Sequence, residues 1–347
     1  KWDGARRFDC WRRAVKQFLI GSYAPQGKDS IFGVALNEDE QKLSLLWADK
    51  QTQNPSYLYL HPNGRVLYAV EERVPNGGLA VMARTEEGWN LQERLPAGSA
   101  PCHLEMTSDA RYLLVSNYMD GTIGVYRVNE QGLKAVQTDL VRHQGKGVNP
   151  TRQEGPHVHS CLVIGEKIYS ADLGLDTIFV YELDAETGKL KECGRIRLPD
   201  GGGVRHLAHQ PGSPYLFANT EMGGEVFAID LRDGGIRQRH RVVPKDFSDS
   251  FRTSAIKISR DYVCVSSREC NVLAIMKIRK DGLLDEPVID PYRQKTPRDI
   301  FFAENYVMTT DEGSGSLTLL ALDEHMRPHQ CDRLMLGDAM PTCIQPI

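Results

Sequence analysis

The run TIGVYRVNEQGLKAVQTDL (122–140) shows the pattern on which the rest of the chain is built. A short apolar strand leads into the turn NEQG, and a second strand-like run, LKAVQTDL, follows. Asn and Gly in that turn supply the backbone freedom a tight hairpin needs. Six further segments open in the same way: IFGVALN (31–37), LAVMAR (79–84), TIFVYEL (177–183), EVFAIDL (225–231), VLAIMKI (272–278) and SLTLLAL (316–322). Their starts lie roughly 45–55 residues apart, the spacing of a repeat architecture. An extended start, often a proline, recurs with the same period at Pro55, Pro101, Pro156, Val204, Thr253, Pro297 and Pro341. Four strands per unit and seven units predict an all-β fold, a seven-bladed β-propeller with four-stranded blades.

The two ends predict how the ring closes. FLIGSYA (18–24) reads as a second strand and PTCIQPI (341–347) as the first strand of the same unit. N- and C-terminal strands then share one blade, which removes the exposed sheet edges that invite aggregation. Residues 18–347 are assigned to this single propeller domain. Residues 1–17, KWDGARRFDCWRRAVKQ, form a basic N-terminal arm, disordered or with a short helix around Trp11 to Leu19, and lack the apolar core of a secretory signal.

Composition narrows the partners. The formal net charge of −4 argues against nucleic acid. No apolar run reaches the roughly 18 residues a membrane helix needs. The eight cysteines contain no CxxC and read as reduced thiols without a disulfide, which points to the cytoplasm. A monomer or weak homodimer is expected.

Aligning the first strands on their opening residues exposes a set of polar exceptions. Three positions on stand Leu58, Leu104, His159, Leu207, Ile256, Ile300 and Ile344, a core position with His159 as the outlier. One position on stand Ser56, Cys102, His157, Arg205, Ser254, Arg298 and Thr342. Two positions on, His103 and His206 recur. Second strands end in Glu71, Asn117, Asp172, Glu221, Arg268 and Asp311. A propeller gathers equivalent positions around one end of its channel, so one partly buried pocket with both signs of charge is predicted. Buried arginines need an anion nearby, either a carboxylate or a ligand. A lone strand histidine is more often structural, and Asp172 could cap a turn. The convergence of several ionisable groups in one register favours a site.

At these residues the chain resembles a known family. NPSYLYLHPNGRVLYAVEE (54–72), APCHLEMTSDARYLLVSNYMDGTIGVY (100–126), NPTRQEGPHVHS (149–160), ADLGLDTIFVYELD (171–184) and GGVRHLAHQP (202–211) resemble, in order, the landmarks of the propeller lactonases. That family includes bacterial 6-phosphogluconolactonases and fungal carboxy-cis,cis-muconate cyclases. The resemblance runs from about Gly21 to Ile344. It implies catalytic roles for His157, Arg205, Glu221 and Arg268. The same segments bring in His159 and His206 as substrate-binding groups, with no cofactor and no metal; His103, Arg152 and Arg298 join them as substrate-binding candidates from their own chemistry. Val204, Thr220, Ala255 and Glu269 depart from the family pattern, and Glu269 adds a negative charge beside the site.

The function this implies is hydrolysis of a sugar lactone, 6-phosphogluconolactone foremost. Glu221 or His157 would activate water as general base. Arg205, helped by Arg268, would stabilise charge on the carbonyl oxygen. Arg152, Arg298 and His103 would hold phosphate or hydroxyls. Carboxymuconate cycloisomerisation needs the same residue types and is the nearest alternative. A non-catalytic protein-binding propeller would instead show an apolar ring face. His157-x-His159 could ligate zinc, but hydrolase metal sites add a third ligand.

Overall fold

The computed structural model describes residues 15–247, 251–291, 295–303 and 305–347. Among them, seven four-stranded antiparallel sheets form the blades of a propeller. In blade 1 the C-terminal strand Met340–Pro346 is innermost and pairs with Val15–Tyr23, followed outward by Ile31–Asn37 and Lys42–Asp49. Blades 2 to 7 follow in chain order. Their innermost strands are Leu58–Leu60, Pro101–Met106, Val158–Ile164, Val204–His209, Thr253–Ser259 and Pro297–Phe302.

The repeated apolar segments are the third strands, and their central positions are buried on both faces. That follows from the architecture, because each blade packs face to face against the next. Seven hydrophobic clusters each bridge two adjacent blades. One of them joins Phe18, Phe32 and Ile344 of blade 1 to Met308 and Leu317 of blade 7, which closes the ring with the same packing used elsewhere. The outermost strands alternate exposed and half-buried residues, as one-sided strands do.

The sequence boundary at residue 18 is corrected here. Val15, Lys16 and Gln17 already belong to the first strand, paired with Asn37, Leu36 and Ala35. A helix through Leu19 is therefore excluded over its described part. Residues 1–14 of the arm, including Cys10, lie outside the described residues. The seven described cysteines are free thiols. No described helix is long and apolar enough to cross a membrane.

The register contains a device that strand periodicity does not reveal. In six blades the innermost strand carries one extra residue against its neighbour, a β-bulge near its first residue. A bulge re-aims a side chain and ends the regular alternation. The bulged residues include Cys102, His159, Arg205 and Arg298. Blade 4 corrects the sequence alignment. Its inner strand starts at Val158, paired with Asp172, and not at Pro156. Thus His159, and not His157, holds the position of Arg205 and Arg298. Cys161, 2% exposed, is the core residue that His159 had seemed to replace.

Candidate active site

The pocket lies at the channel mouth where inner strands begin and second strands end. The paired ends of the second strands are Glu71, Asn117, Asp172, Thr220, Ser267 and Asp311. These side chains serve the fold. Asp172 accepts from the His157 and Leu175 amides at 2.8 and 3.2 Å and lies 2.6 Å from His143 Nδ1. Glu71 pairs with Arg73 and Arg94. The residues that face the pocket stand one place further along: Glu72, Tyr118, Glu221 and Arg268, with Tyr23 in blade 1. The sequence-level set of strand ends therefore mixed two registers, because Glu221 and Arg268 belong to the second ring and Glu71, Asn117, Asp172 and Asp311 to the first.

Glu221 is the hub. Arg152 Nη2 donates to its Oε1 at 2.7 Å and Arg205 Nε to its Oε2 at 2.9 Å. Arg268 Nη2 lies 2.9 Å from the same Oε2, and His159 Nε2 4.0 Å. The side chains of Glu221, Arg205 and Arg268 are each 4% exposed, so this charge cluster is desolvated. Burial disfavours the Glu221 anion, but Arg268 and Arg205 override it and hold the carboxyl well below the usual range. Burial pulls Arg268 down to about 10, which leaves it cationic at neutral pH. Arg205 is further fixed by donating from Nη1 to the Ser254 carbonyl at 2.6 Å. Arg268 Nε is buried with no hydrogen-bond partner among the described residues, and its Nη2 meets only the Glu221 carboxylate, at 2.9 Å.

Two supports place Arg152. Its backbone amide and that of Thr151 donate to Asn149 Oδ1, and its Nη2 also donates to Tyr118 OH at 3.1 Å. Tyr118 stacks on His157 at 4.4 Å. His157 Nδ1 lies 3.0 Å from the Tyr118 carbonyl and Nε2 3.2 Å from Glu154. His157 therefore braces Tyr118 from behind and does not line the cavity, whereas His159 does. The loop that carries His157 passes so close to blade 4 that a Cβ on Gly174 would meet the Gly155 oxygen at 1.9 Å. Only glycine fits that approach.

Across the cavity, Arg298 donates from Nη1 to Glu312 at 2.9 Å and from Nη2 to Tyr23 OH at 2.6 Å. Tyr23 OH and Ser56 Oγ both bond to Glu72. Arg298 is thus neutralised in place, and Glu72 presents a carboxylate that already accepts hydroxyl groups. The cavity is 270 Å³ and open to solvent on its outer side. Beneath it a 20 Å³ space continues between Tyr57, His206 and Asp299. His103 and His206 sit in this lower layer, with ring centroids 5.4 Å apart, and His206 lies 5.2 Å from His159. Burial, with Arg205 adding to it, pushes His159 and His206 far down, and His103 falls to about 3 through burial and Lys257. All three are neutral imidazoles at pH 7.

The structure thus gathers Arg152, His159, Arg205, Glu221, Arg268 and Arg298 around one mouth. It sets His103 and His206 one layer below and buries His157 behind Tyr118. Tyr23, Glu72, Tyr118 and Arg252 were missed at the sequence level. Glu72, Tyr118 and Arg252 share a positional signal, one residue beyond a second strand or just before a first strand, and Tyr23 is the last residue of its second strand. A wider cleft of 440 Å³ between blades 3 and 4 exposes Asp109, Glu166 and Glu182, and no buried charge converges on it. Among the described residues no three His, Cys, Asp or Glu side chains converge as a metal would require.

Comparison with known proteins agrees with this fold. The family profile described as "Lactonase, 7-bladed beta-propeller" matches residues 17–344. A 6-phosphogluconolactonase of Bacillus subtilis (strain 168) is 29% identical over 319 residues, covering 88% of this chain and 90% of its own. The periplasmic gluconolactonase PpgL of Pseudomonas aeruginosa superposes with a TM-score of 0.88 at 22% identity, over 96% of this chain and 99% of that one. A putative 6-phosphogluconolactonase from Bacteroides fragilis gives 0.87 at 21% identity, over 96% and 98%. At such identities the two structures speak to the fold alone. With its profile match spanning nearly every blade, this chain belongs to the lactonase family of seven-bladed β-propellers.

Proposed function

We propose that this chain hydrolyses the ring ester of a sugar lactone, 6-phosphogluconolactone to 6-phosphogluconate, at the channel mouth. As a lactonase it is a carboxylic ester hydrolase. The observation that carries the finer reading is the buried Glu221 hub with three guanidiniums around it and a neutral His159 4.0 Å away. Ester hydrolysis needs a water made nucleophilic and an oxyanion stabilised as it forms.

His159 is the better base in this reading. Both oxygens of Glu221 are already taken by guanidiniums, whereas the neutral imidazole of His159 keeps a lone pair for the water proton. Glu221 then stabilises the imidazolium that results. Arg205 and Arg268, the two buried guanidiniums at Glu221, stabilise charge as it develops on the carbonyl oxygen. Glu72 and Arg152 hold sugar hydroxyls. His157 supports the wall through Tyr118. The enzyme is read as cytosolic, where its free thiols stay reduced.

A substrate panel tests this. Purified protein is offered 6-phosphogluconolactone, unphosphorylated gluconolactones and carboxymuconate, with spontaneous hydrolysis subtracted. Turnover of the phosphorylated lactone well above background is expected. Turnover of carboxymuconate alone would reassign the chain as a cycloisomerase.

A further inference from the structure

We propose that Arg252, on the rim of the cavity, is the phosphate-binding residue, and that Glu269 occupies its guanidinium in the free enzyme where the substrate's phosphate later sits. The proposal rests on the phosphosugar reading above and adds a place for the phosphate.

The other arginines around the cavity are committed. Arg205 and Arg268 are buried against Glu221, Arg152 is shared between Glu221 and Tyr118, and Arg298 is held by Glu312 and Tyr23. Arg252 differs in two ways. Its side chain is 46% exposed, against 4% for Arg205 and Arg268, and its one ion-pair partner among the described residues is Glu269. That partner binds as an oxyanion ligand would. The Arg252 backbone amide donates to Glu269 Oε2 and its Nε to Oε1, each at 2.6 Å, and its Nη2 also reaches Oε1. One carboxylate thus takes the Nε–Nη2 edge of the fork, the edge that reads carboxylates and phosphates. An exposed ion pair is worth little, so a phosphate can displace it at small cost.

Geometry and charge agree. If the reacting carbonyl lies on the floor by Arg205 and His159, the exocyclic arm that carries the phosphate can turn outward to the rim. Five guanidiniums around the cavity, Arg252 among them, face the carboxylates Glu72, Glu221, Glu269 and Glu312. The excess is one positive charge. With Glu269 swung away it becomes two, the charge of a phosphate near its dianion.

The test is steady-state kinetics with 6-phosphogluconolactone and unphosphorylated gluconolactone side by side. Arg252→Gln is expected to raise KM for the phosphorylated lactone by about 10-fold or more, the loss of a charge-assisted bidentate contact. Its kcat, and both constants for the unphosphorylated lactone, should stay within about twofold. Glu269→Gln should lower KM for the phosphorylated lactone alone. A wild-type preference for the phosphorylated lactone that survives in Arg252→Gln overturns the Arg252 assignment and leaves the substrate reading standing. A wild type with no such preference overturns both.

Discussion

Replacing Glu221 by Gln tests the hub directly, because it keeps shape and removes charge. The carboxylate lies within 2.9 Å of three guanidiniums, two of them on side chains only 4% exposed. Gln leaves Arg205 and Arg268 desolvated without a counter-charge. Breaking a buried pair on one side costs about 3–5 kcal/mol. With the usual unfolding entropy per residue, a chain of 347 residues then loses about 4–7 °C in Tm. The variant should still fold, since the seven interblade cores are untouched. Turnover should fall by a factor on the order of 10² or more, through loss of imidazolium stabilisation and of arginine placement.

The pH dependence carries a definite sign. The folded carboxyl ionises well below its ordinary value of 4.5. Its contribution is therefore fully present above about that pH and fades as pH falls through the lower folded value. The Tm gap between wild type and Glu221→Gln should be constant from neutral pH down to about 5 and should narrow below it. Sulfate or phosphate should stabilise the variant more than the wild type, because an added anion can enter the vacated charge site. Differential scanning fluorimetry across pH and anion concentration reads all of this. Equal melting temperatures at pH 7, with no selective anion rescue, would show that Glu221 is not the counter-charge for these arginines.

Four further variants follow from the same structure. Arg205→Met should lower kcat by about 10² or more with a smaller effect on KM, and wild-type turnover would remove Arg205 from the reaction. His159→Asn should lower kcat by a similar factor and His157→Asn by much less; the reverse order, in matched assays, would restore the base to His157. Glu105, on the inner strand Pro101–Met106, is pushed up to about 8 by burial. The folded state then holds a proton that the unfolded chain has lost, so stability falls as pH rises from about 4.5 to 8. Glu105→Gln should flatten that slope and melt above the wild type at pH 8, and an unchanged slope in thermal melts would refute it.

How much of this was legible before folding follows from what each signal depends on. Apolar segments with hairpin turns, repeating at near-constant spacing, are local and periodic. They were enough for the blade count, for the four strands per blade, and for the shared blade that pairs Ile20 with Ile344. Arg205, Glu221 and Arg268 were legible as charges at recurring positions. The site's fine register was not. Strand periodicity assumes unbroken alternation, and a bulge breaks it by one residue. Whether blade 4 begins at Pro156 or Val158 is settled by pairing with Asp172, a contact between strands. That shift moved His159 onto the cavity wall and His157 behind Tyr118. Likewise, nothing along the chain separates Glu71 from Glu72, yet one bonds within its blade and the other faces the cavity. The chain alone determined which residues recur together. Only the closed ring decided which of two neighbours turns inward, because that depends on hydrogen bonds between strands far apart in sequence.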